Sequence, residues 1–210
     1  MTAERLTSPE LTVFLVRHGR TRLNVDGRIR GQLDVELDSV GQLETARLAN
    51  VFGRVPLSRI VSSPLVRARA TAAPIALIHD LAVEVNEGFI DRDYGRWNGD
   101  FRHDVETRFG SLDSAPGVEP STALDWRLLR TFNQIADRSA SAGPIMCVGH
   151  DATNSALLRL LVPALSAAEA IEQHTGCWNR LDLIGGRWAA VVINETPTDA
   201  SHIIELLTRQ

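Results

Sequence analysis

Short apolar runs alternate along the chain with longer segments of helical periodicity. The apolar runs predict six strands, at residues 11–16, 58–62, 82–86, 144–149, 178–184 and 187–193. Apolar residues at helical spacing predict four helices, at residues 39–52, 64–78, 121–140 and 151–161. Glycines and aspartates are frequent in residues 19–38, which we expect to be an extended loop, and glycines and prolines are frequent in residues 88–120, which we expect to be an irregular insertion. Strands that alternate with helices favour an α/β fold.

We therefore expect a three-layer α/β/α sandwich around a mostly parallel sheet, formed by a single domain over residues 1–210. Residues 88–120 would be an inserted lid region, and residues 1–10 would be a loose leader. Ligands of such folds bind beyond the carboxyl ends of the strands. In this chain a histidine follows two of the predicted buried strands, His18 after the first and His150 after the fourth.

Composition narrows the class of function. The formal net charge is -4, which argues against nucleic acid as a partner. No apolar stretch is long enough to cross a bilayer, and the first ten residues lack a signal-peptide core, so we expect a cytoplasmic protein with no membrane partner. Both cysteines are expected to be reduced and structural. All 22 basic residues are arginine, which codon bias explains better than chemistry for most of them.

Four ordered segments carry a family resemblance. Residues 17–24 read Arg-His-Gly-Arg-Thr-Arg-Leu-Asn, directly after a predicted strand. Residues 62–72 read SSPLVRARATA, residues 89–99 read FIDRDYGRWNG, and residues 148–150 read VGH. Together these segments resemble the histidine phosphatase superfamily, which includes the cofactor-dependent phosphoglycerate mutases. The resemblance runs from about residue 11 to residue 193 and takes in residues 31–41 as the family's following loop and helix start.

The resemblance implies a mechanism that the residue types support. His18 would be the nucleophile, because a neutral imidazole whose other nitrogen donates to a fixed acceptor can attack phosphorus. The family uses a backbone carbonyl near the motif glycine as that acceptor. Asp91 would protonate the leaving group and then activate water. The phosphate would be bound by arginine forks and polar donors, namely Arg17, Arg67, His150 and Asn24. Neither a metal nor a cofactor is expected.

Two positions depart from the family's pattern. Asp91 stands where the family has glutamate, and the side chain is one methylene shorter, which affects its reach and the choice of substrate. Asp151 follows the second histidine, where the family commonly has glycine. A carboxylate beside a phosphate pocket is electrostatically unfavourable, so we expect Asp151 to serve as a helix N-cap that points away from the ligand.

Three functions fit these residues. The first is a phosphatase acting on a small phosphorylated metabolite. The second is a mutase, which the compact stretch of about twenty residues between Gly99 and Ser121 disfavours, because family mutases usually carry a longer insertion there. The third is a non-catalytic sensor of a phosphorylated ligand, which would not need both histidines, both arginines and an acid.

The sequence leaves the substrate and the oligomeric state open, with a homodimer as one alternative. It also leaves open a group of basic side chains in and near the insertion, which form either a solvated surface or a cationic lid that selects a second anion. These are Arg20, Arg22, Arg92, Arg96, Arg102, His103 and Arg108.

Overall fold

A computed structural model of the chain describes residues 8–139, 143–167 and 171–197. Within them the strands are β1 (Leu11–Arg17), β2 (Arg59–Ser62), β3 (Val83–Val85), β4 (Ile145–Gly149), β5 (Trp178–Ile184) and β6 (Arg187–Glu195). The helices are α1 (Arg22–Val25), α2 (Ser39–Phe52), α3 (Val66–Ile78), α4 (Arg102–Phe109), α5 (Ser121–Ser139) and α6 (Asp151–Leu161). Most of the predicted leader lies outside the described residues. No helix in the described part of the chain is both long and apolar enough to cross a membrane.

All six strands belong to one sheet, in the order β3-β2-β4-β1-β5-β6. The first four of these neighbours are parallel, whereas β5 runs antiparallel to both β1 and β6. The mostly parallel sheet is therefore confirmed. In the register of β1 and β4, Arg17 lies opposite Gly149. The residues that follow these two strands consequently emerge side by side at one edge of the sheet.

The two faces of the sheet are covered by different helices, as the alternation of side chains along β1 shows. Phe14 and Val16 belong to the core formed with α2 and α3, whereas Val13 and Leu15 belong to the core formed with α5 and α6. Because both faces are covered, β1 is buried along its whole length and does not alternate between buried and exposed residues. The three-layer sandwich is thus confirmed.

The two segments that were expected to be irregular contain helices. The segment 19–38 includes the single turn α1, and the segment 88–120 includes the eight-residue helix α4. The second segment also forms a small core, in which Tyr94, Trp97, Val105, Leu112 and Ala115 pack with Ile29 of the first segment. The expectation of an irregular insertion was wrong because the glycines end elements of secondary structure and do not prevent their formation. Gly110, for example, has a φ of 81° and ends α4.

Smaller differences concern helix boundaries and tryptophans. Pro64 was expected at the start of a helix, but α3 begins at Val66, because Leu65 has the extended backbone of an N-cap residue. Trp97 and Trp178 are buried in hydrophobic cores, whereas Trp126 is 70% exposed and belongs to no core.

Candidate active site

The predicted site residues gather at the carboxyl edge of the parallel strands. Arg17 ends β1 and His18 follows it, while His150 follows the neighbouring strand β4. Arg67 lies in the first turn of α3, just beyond β2, and Asp91 lies beyond β3. Each parallel strand therefore delivers at least one of these side chains to the same edge, where this class of fold binds its ligands.

His18 has one ring nitrogen tied to the backbone and the other free. Its Nδ1 lies 2.7 Å from the carbonyl oxygen of Gly19, and because a carbonyl only accepts, Nδ1 must carry the proton. Nε2 is buried and has no hydrogen-bond partner among the described residues. Burial, reinforced by the charge of Arg67, lowers the pKa of His18 well below its ordinary 6.5. The imidazole is therefore neutral near pH 7, with a free lone pair on Nε2.

The loop that carries His18 is held by close backbone contacts. The N–H of Gly19 donates to Thr71 of α3, at 3.0 Å. A Cβ atom at Gly19 would lie 2.6 Å from the carbonyl oxygen of Gly41, so the loop packs against the start of α2 more closely than any side chain would permit. This contact explains the glycine that follows His18, whose carbonyl is the acceptor for Nδ1.

His150 faces His18, with ring centroids 5.2 Å apart. Its Nε2 lies 2.7 Å from the hydroxyl of Ser63, which can donate or accept. Its buried Nδ1 lies 3.7 Å from a carboxylate oxygen of Asp91, and because a carboxylate only accepts, this contact favours the tautomer with the proton on Nδ1, to whose Nε2 Ser63 donates. Burial lowers the pKa of His150 well below 6.5, so this side chain offers a neutral hydrogen-bond donor rather than a positive charge.

Arg67 is fully buried and its guanidinium is largely engaged within the protein. One terminal nitrogen donates to the carbonyl of Leu33 at 2.7 Å. The other donates to the carbonyl of Gly31 at 2.7 Å and to Asp91 at 3.1 Å. Only Nε lacks a partner among the described residues. These bonds use three of its five N–H groups, so Arg67 brings a fixed charge, the Nε–H and one N–H of the nitrogen that bonds Leu33.

Asp91 is 4% exposed, and both its side chain and its backbone are fixed. One carboxylate oxygen accepts the N–H of Arg92 and the other pairs with Arg67. The backbone carbonyl of Asp91 accepts from Arg127 on α5, which also forms an ion pair with Glu119 at 2.7 Å. Sequence reasoning missed Arg127, since an arginine on an amphipathic helix gives no sign that it holds a distant loop.

Arg17 and Asn24 lie at the outer side of the site. Arg17 donates through one terminal nitrogen to the backbone carbonyl of Gln173, and its buried Nε has no partner among the described residues. The side-chain oxygen of Asn24 accepts from both the N–H and the hydroxyl of Thr21, so that end of Asn24 stabilises the turn α1. Both residues border the same outer cavity.

Arg30 was also missed, although its charge contributes to the lowered pKa of both His18 and His150. Its Nε is buried without a partner in the described part of the chain. Burial and the charge of Arg17 lower the pKa of Arg30 to about 10, so it remains a cation at neutral pH. Its one signal in the sequence is its place directly before the loop 31–41, where neighbouring arginines obscure it.

Two cavities border residues of the candidate site. The first, of about 530 Å³, is bordered by Asp91, and the second, of about 520 Å³, is bordered by Arg17. They share a rim composed of Arg28, Arg30, Arg102, Asp151, Glu172 and Gln173. The site therefore has room for a metabolite larger than phosphate.

The prediction for Asp151 was wrong. The N-cap of α6 is His150, whose extended backbone precedes the helix and whose N–H donates to the hydroxyl of Thr153. Asp151 is instead the first helical residue, and its half-exposed carboxylate borders both cavities, 4.0 Å from Arg17. It therefore faces the substrate space that it was expected to avoid.

Most of the basic side chains in and near the insertion have local partners. Arg20 pairs with Asp38 at 2.8 Å and Arg102 pairs with Glu106 at 3.1 Å. The guanidinium of Arg96 lies 4.3 Å from the ring centre of Trp97. These contacts favour a paired, solvated surface over a cationic lid.

The candidate site contains two histidines and one carboxylate. In residues 8–139, 143–167 and 171–197, no group of three or more histidine, cysteine, aspartate or glutamate side chains is placed to hold a metal ion. Both cysteines are buried and free, and burial raises the pKa of each thiol to about 12.

Comparison with known proteins supports the resemblance seen in the sequence. The family model described as the histidine phosphatase superfamily (branch 1) matches residues 13–196. A glucosyl-3-phosphoglycerate phosphatase of Mycobacterium tuberculosis strain H37Rv is 38% identical over 115 residues, which are 55% of this chain and 47% of that protein. The match thus spans about half the length of that relative.

Two further relatives align over most of their length. An adenosylcobalamin/alpha-ribazole phosphatase of Salmonella typhimurium strain LT2 is 24% identical over 194 residues, covering 88% of this chain and 96% of that protein. The solved structure of a mycobacterial glucosyl-3-phosphoglycerate phosphatase complexed with VO3 is 25% identical, with a TM-score of 0.77 over 88% of this chain and 99% of that chain. The chain belongs to branch 1 of the histidine phosphatase superfamily.

Proposed function

We propose that this protein is a phosphatase that hydrolyses phosphomonoesters of small metabolites through a phosphohistidine on His18. One observation carries the proposal. Five buried nitrogens of the site have no hydrogen-bond partner among the described residues, on the side chains Arg17, His18, Arg30, Arg67 and His150. The other four side chains, namely Arg17, Arg30, Arg67 and His150, are also the ones whose electrostatic interaction lowers the pKa of His18, so they lie around its ring. Four of these nitrogens are donors and Nε2 of His18 is an acceptor, and buried polar groups left unpaired indicate a ligand that pairs them.

The arrangement supports two chemical steps. In the first, Nε2 of His18 forms a bond to phosphorus, the ester P–O bond breaks, and Asp91 gives its proton to the leaving oxygen. In the second, Asp91 takes a proton from water, the resulting hydroxide attacks phosphorus, and the P–N bond breaks to release phosphate. Arg17, Arg67 and His150 stabilise the charge on the phosphoryl oxygens throughout.

The names of relatives support hydrolysis of small phosphomonoesters, since they include a phosphatase of glucosyl-3-phosphoglycerate and one of alpha-ribazole compounds. For this chain the activity is a proposal, as are its small-metabolite substrate and its action in the cytoplasm. The mutase and the sensor are the alternatives to be tested.

Phosphate release from a panel of phosphorylated metabolites tests the proposal. The wild-type protein should release phosphate, and His18→Asn should not, whereas the exposed His103→Asn should match the wild type. With 3-phosphoglycerate and a trace of the 2,3-bisphosphate, formation of 2-phosphoglycerate without phosphate release would identify a mutase. Binding of phosphate without either reaction would identify a sensor.

A further inference from the structure

The side chain of Arg127 attaches the loop that carries Asp91 to α5. Arg127 uses all five of its N–H groups in hydrogen bonds of 2.7 to 3.1 Å. Three of these bonds go to the backbone carbonyls of Gly88, Ile90 and Asp91. The other two go to the carboxylate of Glu119. Arg127 therefore contacts this loop from three residues before Asp91 up to Asp91 itself.

Glu119 holds the other side of Asp91. Its N–H donates to the carbonyl of Asp93 at 2.8 Å, and its carboxylate accepts the N–H of Asp93 at 3.1 Å. Its carbonyl accepts from two nitrogens of the Arg92 guanidinium, at 2.9 and 2.7 Å. Because Arg127 and Glu119 form a bidentate ion pair, the segments before and after Asp91 are both connected to α5 through that pair.

The loop also lies directly against α5, because of Gly88. A Cβ atom at this position would lie 2.0 Å from the hydroxyl of Thr131, so any other residue would move the loop away from the helix. Outside α5, Gln32 donates to the carbonyl of Asp91 at 3.2 Å. That is one hydrogen bond, whereas Arg127 forms three with the loop. The position of the loop therefore depends mainly on Arg127.

The side chain of Asp91 can do little to correct an error in the position of its loop. Aspartate is one methylene shorter than the glutamate that the family has here. The carboxylate is buried, and its oxygens are already bonded to the N–H of Arg92 and to Arg67. A general acid must come within hydrogen-bond reach of the leaving oxygen, and a displacement of about 1 Å can slow a reaction by about 10²-fold. With a short acid, that distance is set by the backbone.

We propose that Arg127, held by Glu119, is a positioning residue that places Asp91 within reach of the leaving oxygen. The described residues that border the two cavities do not include Arg127, which therefore acts through Asp91 and not on the substrate. This inference rests on the proposed phosphatase activity and adds to it the residues that make an aspartate sufficient as the acid.

The first test measures phosphorylation of His18 in a single turnover, with an alkyl phosphate and with p-nitrophenyl phosphate. Arg127→Lys keeps the charge opposite Glu119, but its one nitrogen cannot span three carbonyls and a carboxylate. It should slow the step by about 10–100-fold with the alkyl phosphate, and far less with p-nitrophenyl phosphate, whose leaving group needs little protonation. Arg130→Lys is the matched control, because Arg130 is exposed on the same helix and lies over the ring of Trp126. It should match the wild type with both substrates.

A longer acid gives a second readout, which a merely structural role of Arg127 would not move. In the wild-type background Asp91→Glu should slow the reaction of the alkyl phosphate, because the extra methylene shifts the carboxylate from its present partners. In the Arg127→Lys background the same change should speed that reaction, since a longer side chain can compensate for a displaced loop. The effect of Asp91→Glu thus changes sign with residue 127.

Thermal unfolding would verify that each variant is folded. Glu119→Gln is the milder alternative if Arg127→Lys is not, because it removes the ion pair and leaves the bonds of Arg127 to the loop. It should show the same dependence on the leaving group, with a smaller slowing.

Three results separate failure of this proposal from failure of the proposed function. If folded Arg127→Lys slows both substrates equally, or neither, while Asp91→Asn slows mainly the alkyl phosphate, Asp91 is the acid and Arg127 does not position it. If Asp91→Glu slows the reaction in both backgrounds alike, the reach of the acid does not depend on Arg127. If the wild-type protein phosphorylates His18 with neither substrate, the proposed function itself fails.

Discussion

The buried neutral histidines predict how stability depends on pH. His18 and His150 titrate near 6.5 in the unfolded chain, but burial lowers their pKa well below that value in the folded protein. As the pH falls from 7.5 to 5.5, the unfolded chain takes up nearly one proton at each histidine, and the folded protein does not. By linkage, the stability that these groups contribute is present above pH 6.5 and is lost as the pH falls below it.

The size of the loss follows from the same argument. Each histidine should lower the free energy of unfolding by about 1.4 kcal/mol between pH 7.5 and pH 5.5, so the two together should lower it by about 2.7 kcal/mol. Carboxylates whose pKa is lowered by hydrogen bonds or ion pairs, such as Asp38 and Glu84, lose their stabilisation at lower pH, outside this window.

Urea unfolding followed by tryptophan fluorescence measures this dependence. The buffers must be free of phosphate and sulfate, because an anion that binds the native site would stabilise it. His18→Asn should show about half of the wild-type pH dependence, whereas His103→Asn should show all of it. If His18→Asn and the wild type lose the same free energy between these pH values, His18 is not held neutral and the argument for a ready nucleophile fails.

Two further predictions concern the acid and its partner. With an alkyl phosphate as substrate, Asp91→Asn should slow the phosphorylation of His18 by about 10²–10⁴-fold. With p-nitrophenyl phosphate the slowing should be far smaller, because a good leaving group needs little protonation. Single-turnover kinetics measures this first step, and equal slowing with both substrates would show that Asp91 is not the acid. Arg67→Met should lower the free energy of unfolding by about 3–5 kcal/mol, since it leaves Asp91 buried without its partner. The exposed pair of Arg102 provides the control for this urea measurement, and Arg102→Met should cost less than about 1 kcal/mol; a similar loss for both variants would contradict the structural role of Arg67.

The layers and the strand edges could be predicted from the sequence because they depend on local patterns. The apolar run of β1 and the histidine after it are visible within a few residues, and so is the same arrangement at β4. The rule that ligands bind beyond parallel strands then places His18 near His150 without any knowledge of the rest.

The residues that were missed act over long distances. Arg127 on α5 holds the backbone of Asp91, and Ser63 orients His150 from the far side of the pocket. Neither interaction has a local signature in the sequence, because each joins elements that only the folded sheet brings together. The same holds for Arg67, whose fork is shared with two backbone carbonyls that no motif identifies.

The position of Asp151 was misjudged for a different reason. Aspartate at the start of a helix is usually a cap, and this general preference outweighed the specific geometry. At this helix start the N–H of His150 donates to the hydroxyl of Thr153. The capping interaction therefore does not use Asp151, and its carboxylate faces the cavity. Helix propensity describes the average helix, whereas residues at a functional site often depart from that average.

Trapping the covalent intermediate identifies the residue that accepts the phosphoryl group. The protein would be mixed with a phosphomonoester carrying ³²P, quenched in base within milliseconds, digested and mapped. We expect a label that is stable in base, labile in acid and attached to His18, with no label on His18→Asn and normal label on His103→Asn. Phosphate release without a base-stable label, or a label on a residue other than His18, would contradict it.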